Sequence, residues 1–360
     1  YLRRLYVGLE GHERFLWATR DHDGNGFLEA LSPLDTGEDG SGRWPSPPRK
    51  PPFYYESMDV MSYAYDGEAT LAKIAAELGN GEAAKWQAKA DATKRKLREY
   101  LWRPEKSACY DRDGDNRFLD VLIHNNLRCM YHGSFTQEMA DAFVREHLLN
   151  PSEFWTPMPL VSIAANDAKF QSITHNNWSG QPQGLTYQRA IRALENYGHY
   201  AVVTMLGEKL FAAVGENLLF TQQFDPWTAK PNPPRGNRTS TYGPTALAVL
   251  EYIAHMHGVE LLPHKGEVWF SGLARGGHDY EYTQKWNGRR FTLRWKKGMF
   301  EGFVDGGKSF RSSANVRVVT DLSGRPLRVI GISPDTQRVR MEWGSLRRTL
   351  TVRRNEVTGL

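Results

Sequence analysis

The sequence predicts a mainly α-helical domain followed by a smaller antiparallel β module. Apolar residues recur at helical spacing through most of the first 260 residues, and long loops rich in Pro and Gly separate these segments. From Val259 onward the pattern changes to alternating apolar and polar residues, interrupted by Gly, Asn and Asp. Helix pairs joined by long loops favour an antiparallel helical barrel, and the alternation favours a β-sandwich. We therefore place the domains at residues 1–260 and 261–360.

Eight segments predict the helices of the first domain. The clearest is Ser57–Leu78, whose apolar residues form one stripe and which Gly79 ends as a C-cap. A second helix, capped by Ser134 or Thr136, ends near Leu149. The other predicted helices are Leu2–Thr19, Glu82–Trp102, Leu119–Tyr131, Gln183–Tyr197, Tyr200–Gly215 and Gly243–His257.

Six alternating segments predict strands in the second domain. Turn residues such as Asn287-Gly288 and Asp305-Gly306 lie between them. The strands are expected to begin near Glu267, Tyr280, Arg290, Phe300, Val316 and Arg338.

Composition is that of a globular protein, with 40% hydrophobic and 24% charged residues. No run of eighteen apolar residues occurs, so no membrane span is expected. The two cysteines, Cys109 and Cys129, permit one disulfide but do not require it.

The net charge of +5 is concentrated at the C-terminal end, where residues 263–360 hold 19 Lys and Arg against 9 Asp and Glu. Such a segment could meet a nucleic acid or an acidic polysaccharide. A solvated β surface explains the same excess and is favoured, so no nucleic-acid partner is predicted.

Three long loops carry the candidate functional residues: Asp21–Phe53, Asn150–Gln181 and Phe220–Tyr242. Ordered loops of this length inside a compact domain are usually functional. Each contains Trp residues and clusters of polar residues.

The stretch from Asp21 to Val259 resembles glycoside hydrolase family 63 and its mannosylglycerate-hydrolase-like relatives. Thr36-Gly37-Glu38-Asp39-Gly40-Ser41-Gly42-Arg43-Trp44 is similar to the family's acid segment, Ser-Gly-x-Asp-Asn-Ser-Pro-Arg-Trp. Three further segments match in order and spacing: Phe154–Ser162, Asn177–Pro182 and Tyr242–Thr245. The resemblance implies an (α/α)6 barrel and hydrolysis with inversion. Such a barrel has twelve helices, so the first ones are expected to precede Tyr1.

The resemblance implies that Asp39 is the general acid and that Gln222 occupies the position of the general base. The family's base segment begins with Glu, whereas this chain has Gln222-Gln223-Phe224-Asp225-Pro226. The glutamine could be an engineered exchange or a natural loss of the base. Alternatively the alignment is shifted, and Asp225, Glu38 or Glu56 is the base. Glutamine keeps the shape of glutamate without its basicity, so such a site would bind sugar and turn it over poorly.

The same comparison suggests residues that contact the sugar. They are Arg43, Trp44, Glu56, Asp59, Trp155, Trp178, Gln181 and Tyr242. Glu56 and Asp59 could instead complement a helix N-terminus, and the tryptophans could anchor loops by packing.

Two acidic segments look like the beginning of a calcium loop: Asp21–Gly26 and Asp111–Asp115. Neither has Glu at the twelfth position, where Ser32 and Leu122 stand, so turns are favoured. No metal and no cofactor are predicted.

The sequence therefore predicts an inverting glycosidase that cleaves an α-glucoside or α-mannoside in an oligosaccharide or glycoside. One alternative is a carbohydrate-binding pseudoenzyme of the same fold. A less favoured one is a polysaccharide lyase, for which Tyr242 could serve as the base.

Overall fold

The computed structural model describes residues 1–44, 54–217, 219–232, 242–274, 276–313 and 315–360. The chain divides into two compact units. The first comprises Tyr1–Tyr197 with Asn217–Tyr242, and the second Gly198–Glu216 with Gly243–Leu360. The last two helices therefore group with the β module, and the domain boundary at residue 260 stays a prediction. In the described part of the chain, no helix has both the length and the apolarity needed to cross a bilayer.

The helices lie where the periodicity predicts them, with two exceptions. The fifth ends at Phe143 and continues to Leu148 as a π-helical turn. The fourth begins at Asn126 instead of Leu119, because Leu122 N–H donates to Asp167 Oδ2 at 3.0 Å and His124 N–H to Ser162 O at 3.1 Å. These bonds hold the preceding residues in a loop. The helices are α1 Leu2–Arg20, α2 Met58–Leu78, α3 Ala83–Tyr100, α4 Asn126–Tyr131, α5 Gln137–Phe143, α6 Gly184–Glu195, α7 Tyr200–Asn217 and α8 Gly243–His257.

Helix α2 is the centre of packing for the first helices. Its stripe buries Leu71 and Ile74 against Tyr6 of α1 and Trp86 of α3, whose Nε1 donates to Tyr6 Oη at 2.7 Å. As predicted, the helix ends at Gly79, which adopts a φ of 61° that residues with a side chain rarely take. This packing holds the C-terminal half of α2, while the candidate site forms next to its N-terminal end.

The second unit contains two antiparallel sheets, which confirms the predicted antiparallel module. One has six strands in the order β14-β13-β10-β9-β8-β7, and the other five in the order β15-β12-β11-β6-β5. Side chains from both sheets form one hydrophobic cluster, including Phe270, Phe291 and Val318. The strands are β5 Val259–Leu262, β6 Glu267–Gly272, β7 Tyr280–Trp286, β8 Arg289–Lys296, β9 Met299–Val304, β10 Gly307–Ser312, β11 Val316–Asp321, β12 Pro326–Ile330, β13 Gln337–Trp343, β14 Leu346–Val352 and β15 Val357–Gly359.

Among its described residues, the first unit has four short strands that pair as two small ribbons. They are β1 Glu29–Ala30, β2 Tyr55–Glu56, β3 Trp102–Arg103 and β4 Ala108–Cys109. Cys109 and Cys129 are both buried free thiols.

Many basic side chains of the six-stranded sheet have acidic neighbours across the strands. Arg294 pairs with Glu281 at 2.8 Å, and Lys308 with Glu301 at 2.8 Å. This pairing is typical of a solvated β surface.

Candidate active site

The loop that carries Asp39 is joined by hydrogen bonds to the loop that carries Trp178. Trp178 N–H donates to Asp39 O at 3.1 Å, and Gly42 N–H donates to Ser179 Oγ at 2.9 Å. Two side chains, Asn177 and Ser179, donate to Gly40 O at 3.0 and 2.8 Å. The acid segment is thus held in place by residues some 137 positions away in the sequence.

Gly40 is required at this junction for two reasons. Its φ is 63°, a conformation that glycine adopts at little cost. A Cβ at this position would also lie 2.6 Å from Asn177 Nδ2. A side chain here would be strained by this φ and would move the Asn177 amide that donates to Gly40 O.

The turn before Trp178 contains two consecutive left-handed residues, His175 with a φ of 68° and Asn176 with a φ of 58°. Such residues cluster at functional sites, where the surroundings must enforce them. Buried Gln223 enforces this turn. Its Oε1 accepts from Asn176 N–H at 2.5 Å, and its Nε2 donates to Ile173 O and Asn177 O at 3.1 and 3.0 Å.

The side chain of Asn176 connects Asp39 to Gln222. Asn176 Nδ2 donates to Asp39 Oδ2 at 2.6 Å, and Gln222 Nε2 donates to Asn176 Oδ1 at 2.5 Å. The C=O and C–N bonds of an amide are about 1.23 and 1.33 Å long, so Asp39 Oδ2 and Gln222 Nε2 lie at most about 8 Å apart. Inverting glycosidases separate their two carboxyl groups by about 6.5–9.5 Å. Two residues remote in sequence therefore meet at one amide.

The oxygen atoms of Asp39 and Gln222 that take no part in this bridge face solvent. Asp39 and Asn176 are exposed, and Gln222 is half-buried. Within the described ranges, Asp39 Oδ1 and Gln222 Oε1 accept no hydrogen bond. Each end of the bridge therefore keeps one oxygen that a ligand or a water can reach.

A buried ionic network lies directly behind Asp39. Arg43 and Arg128 both contact Glu38 and Asp59, at distances from 2.8 to 3.2 Å. Burial alone would raise the pKa of Glu38, but Arg128 and a hydrogen bond from His124 lower it to about 2. Burial also opposes ionisation of Asp59, yet Arg43 and Arg128 hold its pKa well below the usual range. These ionised groups fix the backbone on which Asp39 stands.

The other carboxylates considered as bases are engaged elsewhere. Glu38 lies inside the ionic network and is 1% exposed. Asp225 Oδ1 accepts from the backbone of Trp227 and Thr228, as a residue that closes its own turn does. Glu56 Oε1 accepts from Asn25 Nδ2 at 2.6 Å, next to the ribbon of β1 and β2. None of the three has a contact with Asn176 or Gln222 among the described residues.

The residues predicted to contact sugar divide into buried and partly accessible groups. Arg43 and Asp59 bond to each other in the network, and Gln181, which is 1% exposed, accepts from Asn232 Nδ2 at 2.6 Å. Trp44, 5% exposed, stacks on Tyr55, and Trp178, 3% exposed, stacks on His124. Half-buried positions are taken by Trp155 and Tyr242. Direct contact with sugar stays a prediction for all of them.

Sequence reasoning did not identify Asn176, Gln223, Arg128 or His124. Asn176 directly precedes the matched segment at residue 177, and its only signal was the preference of asparagine for left-handed turns. Arg128 and His124 lie on or just before α4 and carry no motif. Their roles depend on loops that meet only in the folded chain.

A cluster of acidic side chains lies beside the ribbon of β1 and β2, where Asp21 and Asp23 accept backbone hydrogen bonds from Gly26 and Asn25, as the predicted turn requires. Asp21, Asp23 and Asn25 stand at the first, third and fifth positions of a calcium-type loop, followed by Glu29 of β1. Glu56 of β2 pairs with Glu29, and its Oε2 is buried without a hydrogen-bond partner in the described part of the chain. Burial and the nearby carboxylates, despite a hydrogen bond from His22, raise the pKa of Glu29 to about 7.

Comparisons with known proteins agree with this arrangement. The family described as the mannosylglycerate hydrolase MGH1-like glycoside hydrolase domain matches residues 1–245. A solved sialidase is similar with a TM-score of 0.70 and 16% identity over 88% of this chain, which spans 30% of that protein's length. The GH63 mannosylglycerate hydrolase from Thermus thermophilus, in complex with glucose, gives a TM-score of 0.57 and 18% identity over 70% of this chain and 68% of its own. No curated protein matches the sequence.

The structural likenesses, all under 25% identical, concern the fold. They support the predicted (α/α)6 barrel, whose closure stays a prediction. The family match covers the acid loop, both partner loops and the start of α8, and it confirms the resemblance that the motifs indicated. The chain belongs to the mannosylglycerate hydrolase MGH1-like family of glycoside hydrolases.

Proposed function

We propose that the chain cleaves an α-glycosidic bond with inversion, with Asp39 as the general acid and residue 222 at the position of the general base. The observation that carries this proposal is the bridge through which Asn176 joins Asp39 Oδ2 to Gln222 Nε2. An inverting site needs one group that protonates a leaving oxygen and a second that faces a water, and the bridge brings the two candidate positions to one place.

The glutamine limits the rate that the natural site can reach. An amide can orient a water but cannot take its proton, and general-base assistance is typically worth about 10²–10⁴-fold. The chain is therefore expected to bind its sugar and hydrolyse it slowly.

The substrate class follows from the relatives' names. The T. thermophilus relative is named a mannosylglycerate hydrolase, and its structures hold glucose or D-glycerate. We propose an α-mannoside or α-glucoside, contacted by Trp155 and Tyr242, the two partly accessible side chains among those predicted to contact sugar. Burial raises the pKa of Tyr242, which disfavours the deprotonated tyrosine that a lyase would need.

The decisive test is Gln222→Glu, assayed on aryl α-glucosides and α-mannosides and on mannosylglycerate. We expect kcat to rise by about 10²–10⁴-fold on the best activated substrate, since the variant regains a base. Proton NMR of the first product should show the inverted anomer. Adding Asp39→Asn should remove the gain, while Asp225→Asn, which alters only a turn, should keep it.

A carbohydrate-binding pseudoenzyme is the second candidate, favoured by the amide at position 222 itself. It would be supported if Gln222→Glu gave no hydrolysis of any glycoside in the panel while calorimetry still detected sugar binding. That result would reject the assignment of residue 222 as the base position.

A further inference from the structure

The geometry points to Asn176 as a positioning residue that orients the carboxyl group of Asp39 for proton donation, with Gln222 fixing the orientation of Asn176. The inference rests on the proposed function for its kinetic consequence. Its structural content, a chain of side chains from residue 222 to the acid, can be tested without any turnover.

Donors and acceptors alternate along this chain. Gln222 Nε2–H donates to Asn176 Oδ1, and Asn176 Nδ2–H donates to Asp39 Oδ2. An amide has one accepting oxygen and one donating NH2 group. The donor on Gln222 therefore turns the Asn176 oxygen towards itself and leaves the Asn176 donor for Asp39.

The backbone conformation of the turn holds Asn176 between Gln222 and Asp39. Asn176 is left-handed, a conformation that asparagine adopts more readily than most residues with a side chain. Gln223 Oε1 holds its N–H at 2.5 Å. The side chain thus projects from a braced turn, as positioning of a reacting group to a fraction of an ångström requires.

As a consequence, the two carboxyl oxygens of Asp39 have different roles. Oδ2 is held by Asn176, and Oδ1 accepts no hydrogen bond from the described residues. The leaving oxygen of a substrate can then approach Oδ1 of a carboxyl group whose plane is already set. Loss of Asn176 should weaken proton donation more than sugar binding.

The first test uses the NH2 resonances of Asn176 and Gln222 side chains in 15N-labelled full-length protein. Asp39→Ala and Gln222→Ala should each shift the Asn176 resonance, because each removes one of its partners. Asp225→Ala, which alters a turn in the same loop as Gln222, should leave it in place. An Asn176 resonance that stays unchanged in both partner variants would overturn the inference, whether or not the protein hydrolyses anything.

The second test compares leaving groups in the wild-type background with Asn176→Gly. Glycine keeps the left-handed backbone but removes the amide, so folding is preserved better than with Asn176→Ala. We expect kcat on alkyl or sugar leaving groups to fall about 10–100-fold, with a much smaller change in KM. Glycosyl fluorides, which need little proton donation, should be hydrolysed at nearly the wild-type rate. Equal losses on both substrate classes would indicate a structural role and reject positioning of the acid.

If no substrate in the panel is turned over by wild type or by Gln222→Glu, the proposed function fails. The NMR comparison still decides this inference in that case. The two failures are therefore distinguishable.

Discussion

At the scale of single residues, the most informative contrast is between two adjacent glutamines. Gln222 is half-buried and reaches the solvent side of the bridge, whereas Gln223 is 2% exposed and bonds to the turn at residues 173–177. Successive side chains of an extended segment point to opposite sides. The two adjacent glutamines therefore have different roles: Gln222 faces the proposed ligand site, and Gln223 holds the turn in place.

This contrast predicts unequal effects on stability. Gln223→Ala removes the partner of three part-buried backbone groups, those of Ile173, Asn176 and Asn177, and each unsatisfied group costs up to about 1–3 kcal/mol. We expect the free energy of unfolding in urea to fall by roughly 2–4 kcal/mol. Gln222→Ala should change it by less than about 0.5 kcal/mol, as surface substitutions usually do. Equal losses in the two variants would contradict the roles assigned here.

The sequence could identify Asp39 and Gln222 as candidate site residues because both lie in segments that resemble family motifs in residue order and spacing. It could not place Asn176, since its contacts come from a turn whose shape depends on Gln223, 47 positions later. Nor could it distinguish buried Arg43 from a sugar-binding arginine. Its environment consists of carboxylates from three separate segments: Glu38, Asp59 and Asp111.

At the scale of elements, periodicity was most reliable for long helices and least reliable near loops. Residues 119–125 contain apolar side chains at helical spacing, yet their backbone groups bond to the loop at residues 162–167. Tertiary hydrogen bonds thus outweigh local helix preference there. In the second unit, the strands β5, β10, β12, β14 and β15 were not predicted, because strands that are short or rich in Arg give a weak alternation signal.

Helix α7 offers a matched pair of glycines for testing how closely it packs on α8. A Cβ at Gly207 would lie 2.2 Å from Met256 Sδ and 2.7 Å from Tyr252 Cδ1, whereas a Cβ at Gly215 would meet nothing within 4 Å. Gly207→Ala should lower the free energy of unfolding by about 1–3 kcal/mol through overpacking. Gly215→Ala should raise it by up to about 1 kcal/mol, because alanine favours helix. Thermal unfolding followed by circular dichroism would compare them, and a stabilising Gly207→Ala would contradict this packing.

At the scale of the whole molecule, buried carboxyl groups form two sets with opposite dependence on pH. Burial and neighbouring acids raise the pKa of Glu13 and Glu29 to about 7. Arginines outweigh burial in the other set, where the pKa of Glu38 falls to about 2 and that of Asp59 below its usual range. Glu13 and Glu29, the pair with raised pKa, stabilise the fold when they are protonated. Glu38 and Asp59, the pair with lowered pKa, stabilise it when they are ionised.

The sign of each contribution predicts a maximum of stability in mildly acidic solution. The contribution of the raised pair is lost as pH rises from about 4.5 to 7, and that of the lowered pair as pH falls from about 4.5 towards 2. The melting temperature should therefore be highest near about pH 4.5–5.5 and decline towards about pH 8.

Glu13→Gln tests the contribution of one of these two carboxyl groups to the decline. Glu13 shares Trp17 Nε1 with Glu68, and Lys89 lies 3.6 Å away. The variant should lose roughly 1–3 kcal/mol less stability than wild type between about pH 5 and 8. Exposed Glu77→Gln, on α2, should leave the slope unchanged. An identical slope in Glu13→Gln would show that this carboxyl does not titrate across the range.

The half-buried amide of Gln222 also has a consequence for any preparation of this protein. Spontaneous deamidation of a glutamine yields glutamate, which is the side chain that the activating variant encodes. An ageing sample would accumulate a small, faster fraction, distinguishable by mass spectrometry of the peptide that spans residue 222. Residual turnover should then grow with storage time and alkaline exposure, and freshly purified material should show the least.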